Sequence, residues 1–304
     1  MSRPRLVALR ALGLGDLLTA VPALRALRRA FPAYEIVLAG PAALAPLAEL
    51  SGAVDAVLDT APLRAPAVER PELAVNLHGS GPESHRALLA TAPGRMIAFA
   101  HPDVPWDGPA WRREHEVARW CRLLTETGIP ADPADLDLQA PPWPAPVAVA
   151  GATVVHPGAA SEARRWPAQR WASVARAEAA AGRRVLVTGS AAERRLAASV
   201  ARAAGLPPAA VLAGRTGIRD LAAVVARAGR VLCGDTGVAH LATAFGVPSV
   251  VLFGPTPPAE WGPPADRPRH VALHPGGRGD PHGAAPDPRL LGISVDEVLG
   301  ALPA

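Results

Sequence analysis

The sequence contains no lysine, so arginine supplies all 31 of its basic charges. Against 27 acidic residues, these arginines leave a formal net charge of only +4. The sequence pI of about 10.2 therefore reflects the high pKa of arginine rather than a large charge excess. Aromatic residues make up 4% of the chain. The sequence has neither a run of basic residues nor an alternation of basic and aromatic residues. We therefore expect no nucleic-acid-binding surface. The missing lysine, together with 35 prolines, is typical of a GC-rich bacterium.

Cysteine is almost as scarce. Cys121 and Cys233 are predicted in a helix and a strand of separate halves, so we expect no disulfide and favour the cytoplasm. Residues 1–13 lead into an apolar strand without the apolar length or cleavage site of a signal peptide. No stretch approaches the length of a membrane span. The sequence predicts a cytoplasmic protein, and contact with the inner face of the membrane stays open.

Helix and strand patterns alternate along the chain, which favours α/β domains with parallel sheets. In the first half, the predicted elements are 6–11, 17–31 with Pro22 in its interior, 35–39, 44–50, 53–58, 73–77 and 114–127. In the second half, they are 153–156, 167–181, 184–188, 191–204, 211–212 and 218–228, then the strand–turn–helix–strand unit 231–253, and 295–302. Residues 267–288 are predicted to be irregular. Similar patterns in both halves indicate two doubly wound domains.

Prolines crowd residues 130–146, as in an interdomain linker. This places one domain at 1–146 and a second at 147–304. Two such domains joined by a hinge imply a cleft between them.

The first glycine turn, Gly13-Leu14-Gly15-Asp16, follows a strand and opens a helix. Leu18 occupies the place of the third glycine of a dinucleotide fingerprint, and no acidic residue ends the second strand, which disfavours a nicotinamide site. Asp16 fits a helix N-cap. It equally fits a cleft-facing carboxylate that acts as general base on a hydroxyl. Both interpretations remain open at this point.

The second loop, at 156–167, is permissive at Gly158 and brings Arg164 and Arg165 close to a helix start at Pro167. Two arginines there would bind an anion between them. The alternative is that each reaches solvent or a carboxylate.

The third turn, Gly234-Asp235-Thr236-Gly237, joins a buried strand to a helix whose start Asp235 or Thr236 can cap. A helix N-terminus with a glycine beside it is a phosphate-binding arrangement. His240 follows one turn later on the face of Thr236 and is either a ligand-contacting or a packed histidine.

Two groups of residues could in principle hold a metal, and we favour neither. Asp135-Leu136-Asp137 resembles the acidic pair of metal-dependent glycosyltransferases but lies in the linker. His270, His274, Asp280 and His282 have no zinc-site spacing. No metal and no cofactor are therefore expected.

The segment 78–86 follows a strand, and its His78 and Ser80 suit a sugar, although a surface loop of the same composition is an equal alternative.

Three blocks of the sequence resemble the signature blocks of family 9 glycosyltransferases, the ADP-heptose:lipopolysaccharide heptosyltransferase family. They are LRALGLGDLLTAVPALRALRRAFP, HPGAASEARRWPAQRW and VLCGDTGVAHLATAFGVPSVVLFGPT, and their order and spacing match along nearly the whole chain. The resemblance implies the GT-B fold, with two Rossmann-like domains facing a central cleft. It also implies inverting, metal-independent transfer from a nucleotide sugar.

The same resemblance implies roles for individual residues. Asp16 matches the base that deprotonates the acceptor. Arg164 stands where family members usually carry a lysine on the diphosphate, and Ala159-Ala160 replace hydroxyl residues. The implied donor-binding residues are Gly158, Arg164, Arg165, Gly189, Ser190, Glu193, Asp235, Thr236, Gly237 and His240. The acceptor-binding residues are predicted to be Gly13, Gly15, His78 and Ser80.

The function predicted is transfer of a sugar, heptose from ADP-heptose being one candidate, to a hydroxyl of a glycan, glycolipid or small molecule. A monomer is expected. If the source lacks lipopolysaccharide, the acceptor is a different glycolipid, a cell-wall sugar or a secondary metabolite. The alternatives are a non-catalytic sugar-nucleotide-binding protein and, less favoured, a Rossmann oxidoreductase or epimerase.

Overall fold

The computed structural model describes residues 3–302, so Met1, Ser2, Pro303 and Ala304, which lie within the predicted domain limits, are outside the described residues. The chain divides into two compact units, Met1–Gln139 and Ala140–Ala304. The division falls inside the segment predicted as linker. Each unit contains one parallel five-stranded sheet whose strands are joined through helices, which is the arrangement of a Rossmann-like domain.

The first unit has the strand order β3-β2-β1-β4-β5. Its strands are β1 Arg5–Leu9, β2 Glu35–Gly40, β3 Ala56–Asp59, β4 Leu73–Asn76 and β5 Arg95–Ile97. Its helices are α1 Leu14–Ala30, α2 Ala45–Leu50, α3 Glu83–Leu89 and α4 Glu116–Glu126. The central strand β1 is buried from Leu6 onwards, because β2 and β4 pair with it on either side. The carboxyl ends of β1 and β4 therefore meet at one edge of the sheet.

The second unit has the strand order β10-β9-β8-β6-β7. Its strands are β6 Thr153–His156, β7 Val185–Val187, β8 Arg230–Gly234, β9 Ser249–Leu252 and β10 His270–Leu273. Its helices are α5 Ala168–Ala180, α6 Arg194–Ala203, α7 Ile218–Arg227, α8 Gly237–Ala244, α9 Pro258–Trp261, α10 Pro288–Gly292 and α11 Val295–Gly300. The described part of the chain also contains short 3-10 turns at Ala42–Leu44, Glu162–Arg164 and Pro208–Ala210.

Several element predictions were wrong in detail. The segment 267–288 was expected to be irregular, but β10 extends the second sheet there by pairing with β9. Residues 211–212 form only a single bridge to Val187 instead of a strand. Helix α1 begins three residues before its predicted start and continues through Pro22 to Ala30. The predicted helix 114–127 is shorter, because His115 caps α4 by accepting a bond from the Val117 amide.

The core of the second unit contains two tryptophans from the segment before α5 and from α5 itself. Trp166 and Trp171 are buried, with ring centroids 4.9 Å apart in an edge-to-face arrangement. The Trp166 indole donates to the Ile293 carbonyl at 3.1 Å. Since Ile293 links α10 to α11, this bond fixes the last helices against the sheet. Both cysteines are buried and unbonded to each other.

The predicted linker is ordered at its start. Asp135 accepts hydrogen bonds from Arg25 and Arg29 of α1, at 2.6 and 2.7 Å. These contacts hold the end of the first unit against its own helix. Within residues 3–302, no helix combines the length and hydrophobicity that crossing a bilayer requires.

Candidate functional site

The turn after β1 places Asp16 at the third position of helix α1. Gly13 is the N-cap residue, and its amide donates to Asp16 Oδ2 at 3.1 Å. The prediction that Asp16 itself is the N-cap was therefore wrong, because the helix begins at Leu14. The carboxylate still stabilises the helix start from inside the first turn, and 26% of its side chain remains exposed. A carboxylate in this position can contact a bound molecule while its backbone is fixed.

Arg10, the first residue after β1, holds Asp16 from beneath. Its side chain is only 1% exposed. Its guanidinium donates from Nε to the Asp16 carbonyl at 2.9 Å and from Nη2 to Asp16 Oδ1 at 3.2 Å. A third bond runs from Nη1 to the Leu77 carbonyl at 2.6 Å. The arginine thus ties the end of β1 to the start of α1 and to the end of β4.

Glu116 binds the same guanidinium, through the same Nη2 atom that contacts Asp16. Its Oε1 accepts bonds from Arg10 Nη2 at 2.7 Å and from the Trp120 indole at 2.9 Å, and its Oε2 pairs with Arg119. The guanidinium carbon of Arg10 lies 4.8 Å from the centroid of the Trp120 ring. Sequence reasoning missed Arg10, Glu116 and Trp120. A lone arginine ending an apolar strand was the signal that could have revealed the first of them.

Burial raises the pKa of Asp16 above its ordinary value. The positive charge of Arg10 opposes this rise, and the negative charge of Glu116 adds to it. The net result is a carboxylate that accepts a proton more readily than a free aspartate does. A partly exposed carboxylate with a raised pKa suits a general base.

His78 lies close to Arg10, two residues after β4. Its Nδ1 accepts a bond from the Ala11 amide at 3.2 Å, and its own amide donates to Asn76 Oδ1 at 2.9 Å. Burial lowers the pKa of His78, and the charge of Arg10 lowers it further. The ring is therefore neutral near pH 7 and presents Nε2 as a donor. Ser80 is half-buried in the same loop, which ends at α3 rather than running on to residue 86 as predicted.

A second arginine–aspartate pair joins the turn after β8 to the 3-10 turn Glu162–Arg164. Arg164 donates to the Asp235 carbonyl at 3.3 Å, and its Nη1 lies 3.7 Å from Asp235 Oδ2. Burial raises the pKa of Asp235, whereas Arg164 and a hydrogen bond from Thr256 act to lower it. Arg165 turns away to Glu162 and to the Ala159 carbonyl. These contacts match the alternative in which each arginine reaches a carboxylate, rather than both sharing one anion.

Helix α8 starts directly after this pair, with Thr236 as its N-cap residue. Thr236 therefore occupies one of the two predicted cap positions, but its side chain forms no capping hydrogen bond within residues 3–302. Asp235, the other candidate, engages Arg164 and Thr256 instead. No side chain of the described residues therefore caps the first amides of α8, which begin at Gly237. A helix N-terminus of this kind can bind an anion. His240, one turn later, lies edge-on to Trp261 of α9, with ring centroids 5.8 Å apart.

The ends of β6 and β7 bring Gly158 and Glu193 together. Glu193 Oε2 accepts a bond from the Ser190 amide at 2.7 Å. A Cβ atom added to Gly158 would lie 2.0 Å from Glu193 Oε1, and one added to Gly189 would lie 3.2 Å from Glu193 Cβ. Only glycine leaves room for this carboxylate to lie across the loop. The buried His156 forms a hydrogen bond with Thr188 Oγ1 at 3.0 Å. Burial lowers the pKa of His156, and the negative charge of Glu193 opposes this change.

Comparison with known proteins decides the family. A sequence model described as glycosyltransferase family 9 (heptosyltransferase) matches residues 104–278, more than half of the chain. The chain belongs to glycosyltransferase family 9. Over 100 residues it is 42% identical to the lipopolysaccharide heptosyltransferase 1 of Pseudomonas aeruginosa, a match that covers 33% of this chain and 27% of that protein.

Solved structures share the fold of this family 9 chain. The family 9 glycosyltransferase of Veillonella parvula matches with a TM-score of 0.77 at 20% identity, over 98% of this chain and 95% of that one. An E. coli heptosyltransferase solved with ADP matches with a TM-score of 0.71 at 17% identity, over 97% and 98%. The predicted GT-B fold, with two Rossmann-like domains, and the predicted family are therefore confirmed.

In this family 9 chain, residues from the tail of the second unit hold the loop that carries Arg164. Ser161 Oγ donates to the Pro281 carbonyl at 2.5 Å, and the Ala163 amide donates to the Gly283 carbonyl at 3.1 Å. The Asp287 amide returns a bond to the Ala163 carbonyl at 3.1 Å. The segment 274–287 lacks regular structure, and these bonds show that it fixes the loop in place.

The two groups weighed as metal sites make other contacts. Asp135 is paired with arginines of α1, and buried His270 bonds Ser249 Oγ at 2.9 Å through Nδ1. Among the residues that the structure describes, no three histidine, cysteine, aspartate or glutamate side chains form a group that could hold a metal ion.

Proposed function

We propose that the chain is an inverting glycosyltransferase that moves a sugar, heptose in the first instance, from an ADP-linked donor to an acceptor hydroxyl. Family membership and the matches to heptosyltransferases support this choice. The acceptor is a glycan, a glycolipid or a small molecule, and lipopolysaccharide is the first to test because the P. aeruginosa relative is a lipopolysaccharide heptosyltransferase.

The single observation that carries the proposal is the state of Asp16. Its carboxylate is oriented by the Gly13 amide and by Arg10, is partly exposed, and has a raised pKa. A hydroxyl that attacks an anomeric carbon must lose its proton, and a carboxylate tuned in this way can take it. Structural capping alone requires neither the exposure nor the buried arginine.

The reaction would proceed in one displacement. The acceptor oxygen attacks the anomeric carbon on the face opposite the diphosphate, and its proton passes to Asp16. The bond between the anomeric carbon and the phosphate oxygen breaks, and its electron pair leaves with the diphosphate. The N-terminus of α8 at Gly237 and the guanidinium of Arg164 would stabilise the charge that develops there. We propose that no metal ion is needed for this step.

Residues of the second unit would bind the rest of the donor. Glu193, which accepts a bond from the Ser190 amide and lies against Gly158, would accept hydrogen bonds from hydroxyls of the nucleoside. Asp235 is buried and would act by orienting Arg164 rather than by touching the sugar. His240 completes the proposed donor contacts, and Arg165 would join them by leaving Glu162 and the Ala159 carbonyl, which it contacts here. In the first unit, the neutral His78, with Gly13, Gly15 and Ser80, would contact the acceptor.

The central test compares Asp16→Asn with Asp220→Asn. Asp220 is a matched control, because it occupies the third position of α7 and accepts the Gly217 amide at 3.2 Å, just as Asp16 accepts Gly13. In both variants the capping bond passes from a charged to a neutral acceptor oxygen, so its loss of strength is matched. We expect ADP release from ADP-heptose, in the presence of heptose-free lipopolysaccharide, to fall by about 10²–10⁴-fold in Asp16→Asn only. ADP binding, measured by calorimetry, should stay unchanged in both.

Other outcomes of that experiment would revise the proposal. Near-normal transfer by Asp16→Asn would remove the base assignment. Tight ADP binding by the wild-type chain, without acceptor-dependent ADP release, would favour the non-catalytic sugar-nucleotide-binding alternative.

Three further measurements address the donor and the mechanism. A melting-temperature panel of ADP, GDP, UDP and TDP identifies the donor base. Product anomeric configuration by NMR tests inversion, and activity retained in EDTA tests metal independence.

We also propose that the chain acts as a monomer in the cytoplasm, at the inner face of the membrane when its acceptor is a glycolipid. Light scattering and co-sedimentation with vesicles of anionic lipid measure these two properties directly.

A further inference from the structure

Arg10 is shared between two carboxylates, one partly exposed and one buried. Its Nη2 atom lies 3.2 Å from Asp16 Oδ1 and 2.7 Å from Glu116 Oε1, so the two oxygens are within about 6 Å of each other. The side chain of Glu116 is 5% exposed, against 26% for Asp16. The shorter, drier contact is therefore the one to Glu116, which the proposed reaction does not use.

Groups from β1, α4, β4 and α1 make up the surroundings of Asp16. The end of β1 supplies Arg10, and α4 supplies Glu116, which Arg119 also contacts. The end of β4 supplies His78, whose ring is neutral because burial and Arg10 lower its pKa. From α1 itself, the Thr19 hydroxyl donates to the Asp16 carbonyl at 3.0 Å. The charged groups that act on the Asp16 carboxylate are thus Arg10 and Glu116, with Arg119 behind the latter.

An arginine facing Asp16 alone would make the carboxylate a weak base, because the cation favours the ionised form. Glu116 counteracts this effect in two ways. It draws the guanidinium to itself, helped by the Trp120 ring at 4.8 Å, and it adds a negative charge near Asp16. Asp16 is then held in one orientation without losing its basicity.

We infer that Arg10 and Glu116 are positioning residues that together set the orientation and basicity of Asp16, Arg10 by anchoring the carboxylate and Glu116 by offsetting the charge of Arg10. The inference rests on the proposed function in one respect only, namely that Asp16 takes the proton of the acceptor hydroxyl. It predicts that the two residues act on Asp16 in opposite directions.

The first measurement is the pH dependence of kcat/KM for the full chain with ADP-heptose and heptose-free lipopolysaccharide. Glu116→Gln should move the acidic limb of the profile to lower pH by roughly one unit, the effect of removing a unit charge about 6 Å away at an effective dielectric constant between those of a protein surface and water. Arg10→Gln should move the same limb to higher pH. Arg10→Lys keeps the charge and should restore the limb towards the wild-type position.

The control is Glu126→Gln, which changes a carboxylate on the exposed side of the same helix, where it pairs with Arg112 and Arg122. That variant should leave the limb in place. A purely structural role of Arg10 and Glu116 would lower the melting temperature and the active fraction without moving the limb. If Arg10→Gln does not fold, Glu116→Gln and Arg10→Lys still decide the question.

The second measurement reads Asp16 without turnover. The pH titration of its carboxyl carbon is followed by NMR in ¹³C-aspartate-labelled protein, with the signal assigned by its loss in Asp16→Asn. An unchanged Asp16 titration in folded Glu116→Gln overturns the inference. A shifted titration with an unshifted kinetic limb supports the coupling and removes Asp16 as the base, so the two failures are distinguishable.

Discussion

Replacing Gly158 with alanine should displace Glu193 and leave the rest of the second unit in place. The added Cβ would lie 2.0 Å from Glu193 Oε1 and 2.2 Å from its Cδ, far closer than non-bonded atoms approach. The obstacle is the end of a flexible side chain rather than backbone. The carboxylate must therefore move, and it gives up its bond from the Ser190 amide.

The size of the effect on ADP binding follows from the proposed hydrogen bond between Glu193 and a nucleoside hydroxyl. Hydrogen bonds to a charged group contribute about 1.5–3 kcal/mol. If Glu193 uses this position to bind a nucleoside hydroxyl, ADP affinity should fall by roughly ten- to hundredfold. The melting temperature should change little, because the bond from the Ser190 amide is exposed and water replaces it when the carboxylate moves.

Calorimetric titration with ADP measures this loss in Gly158→Ala, Glu193→Ala and the double variant. Once Glu193 is shortened, the methyl group introduced at position 158 has nothing to displace. The double variant should therefore bind ADP no more weakly than Glu193→Ala alone, which is the non-additivity expected of two contacting residues. Gly217→Ala is the matched control, because its added Cβ meets no atom within 4 Å and its φ is −78°.

Two results would refute this reasoning. Normal ADP binding by Gly158→Ala, with weak binding by Glu193→Ala, would show that the carboxylate reaches its position despite the methyl group. Additive losses in the double variant would show that the glycine acts on ADP by another route, such as the approach of backbone to phosphate.

Two further predictions concern the second unit. Burial acts to raise the pKa of Glu178, but hydrogen bonds from Arg183 and Thr153 outweigh this effect and lower the pKa. The resulting stabilisation of the folded state is complete above the ordinary pKa of glutamate. It is lost as the pH falls through the lowered pKa of Glu178. Glu178→Gln should cost about 1.5–3 kcal/mol at pH 7 in urea unfolding and less in acid; parallel pH–stability curves would contradict this. Arg164→Lys should weaken ADP more than AMP in calorimetric titration, since a point charge replaces the planar guanidinium near the diphosphate, and equal losses would exclude a diphosphate contact.

The two sheets could be predicted because their central strands are continuous apolar runs between helical patterns. β1, β6, β8 and β9 are buried along almost their whole length, which is why their sequences are so uniform. The edge strand β10 is half-exposed beyond His270. Its short apolar run lies in a segment rich in glycine and proline, so the sequence did not predict it as a strand. Edge strands need fewer apolar residues, so the sequence pattern marks them weakly.

The network around Asp16 shows the limit of sequence reasoning more clearly. Arg10 and Glu116 are separated by 106 positions and meet only because α4 packs beside α1. Neither residue belongs to a spacing motif, and a glutamate at the start of a helix is ordinarily explained by the helix dipole. Asp16 could be found because its turn has a recognisable form. The residues that tune it are fixed by tertiary packing alone.

The two arginine–aspartate pairs explain why only one aspartate is suited to proton transfer. In both pairs burial raises the pKa of the carboxylate and an arginine opposes the rise. The side chain of Asp235, however, is 8% exposed and is held between Arg164 and Thr256, whereas that of Asp16 is 26% exposed. A hydroxyl can reach Asp16 without disturbing its bonds to Gly13 and Arg10, but it would have to displace Asp235 from its partners. Exposure, rather than pKa direction, therefore separates the proposed base from the residue that orients Arg164.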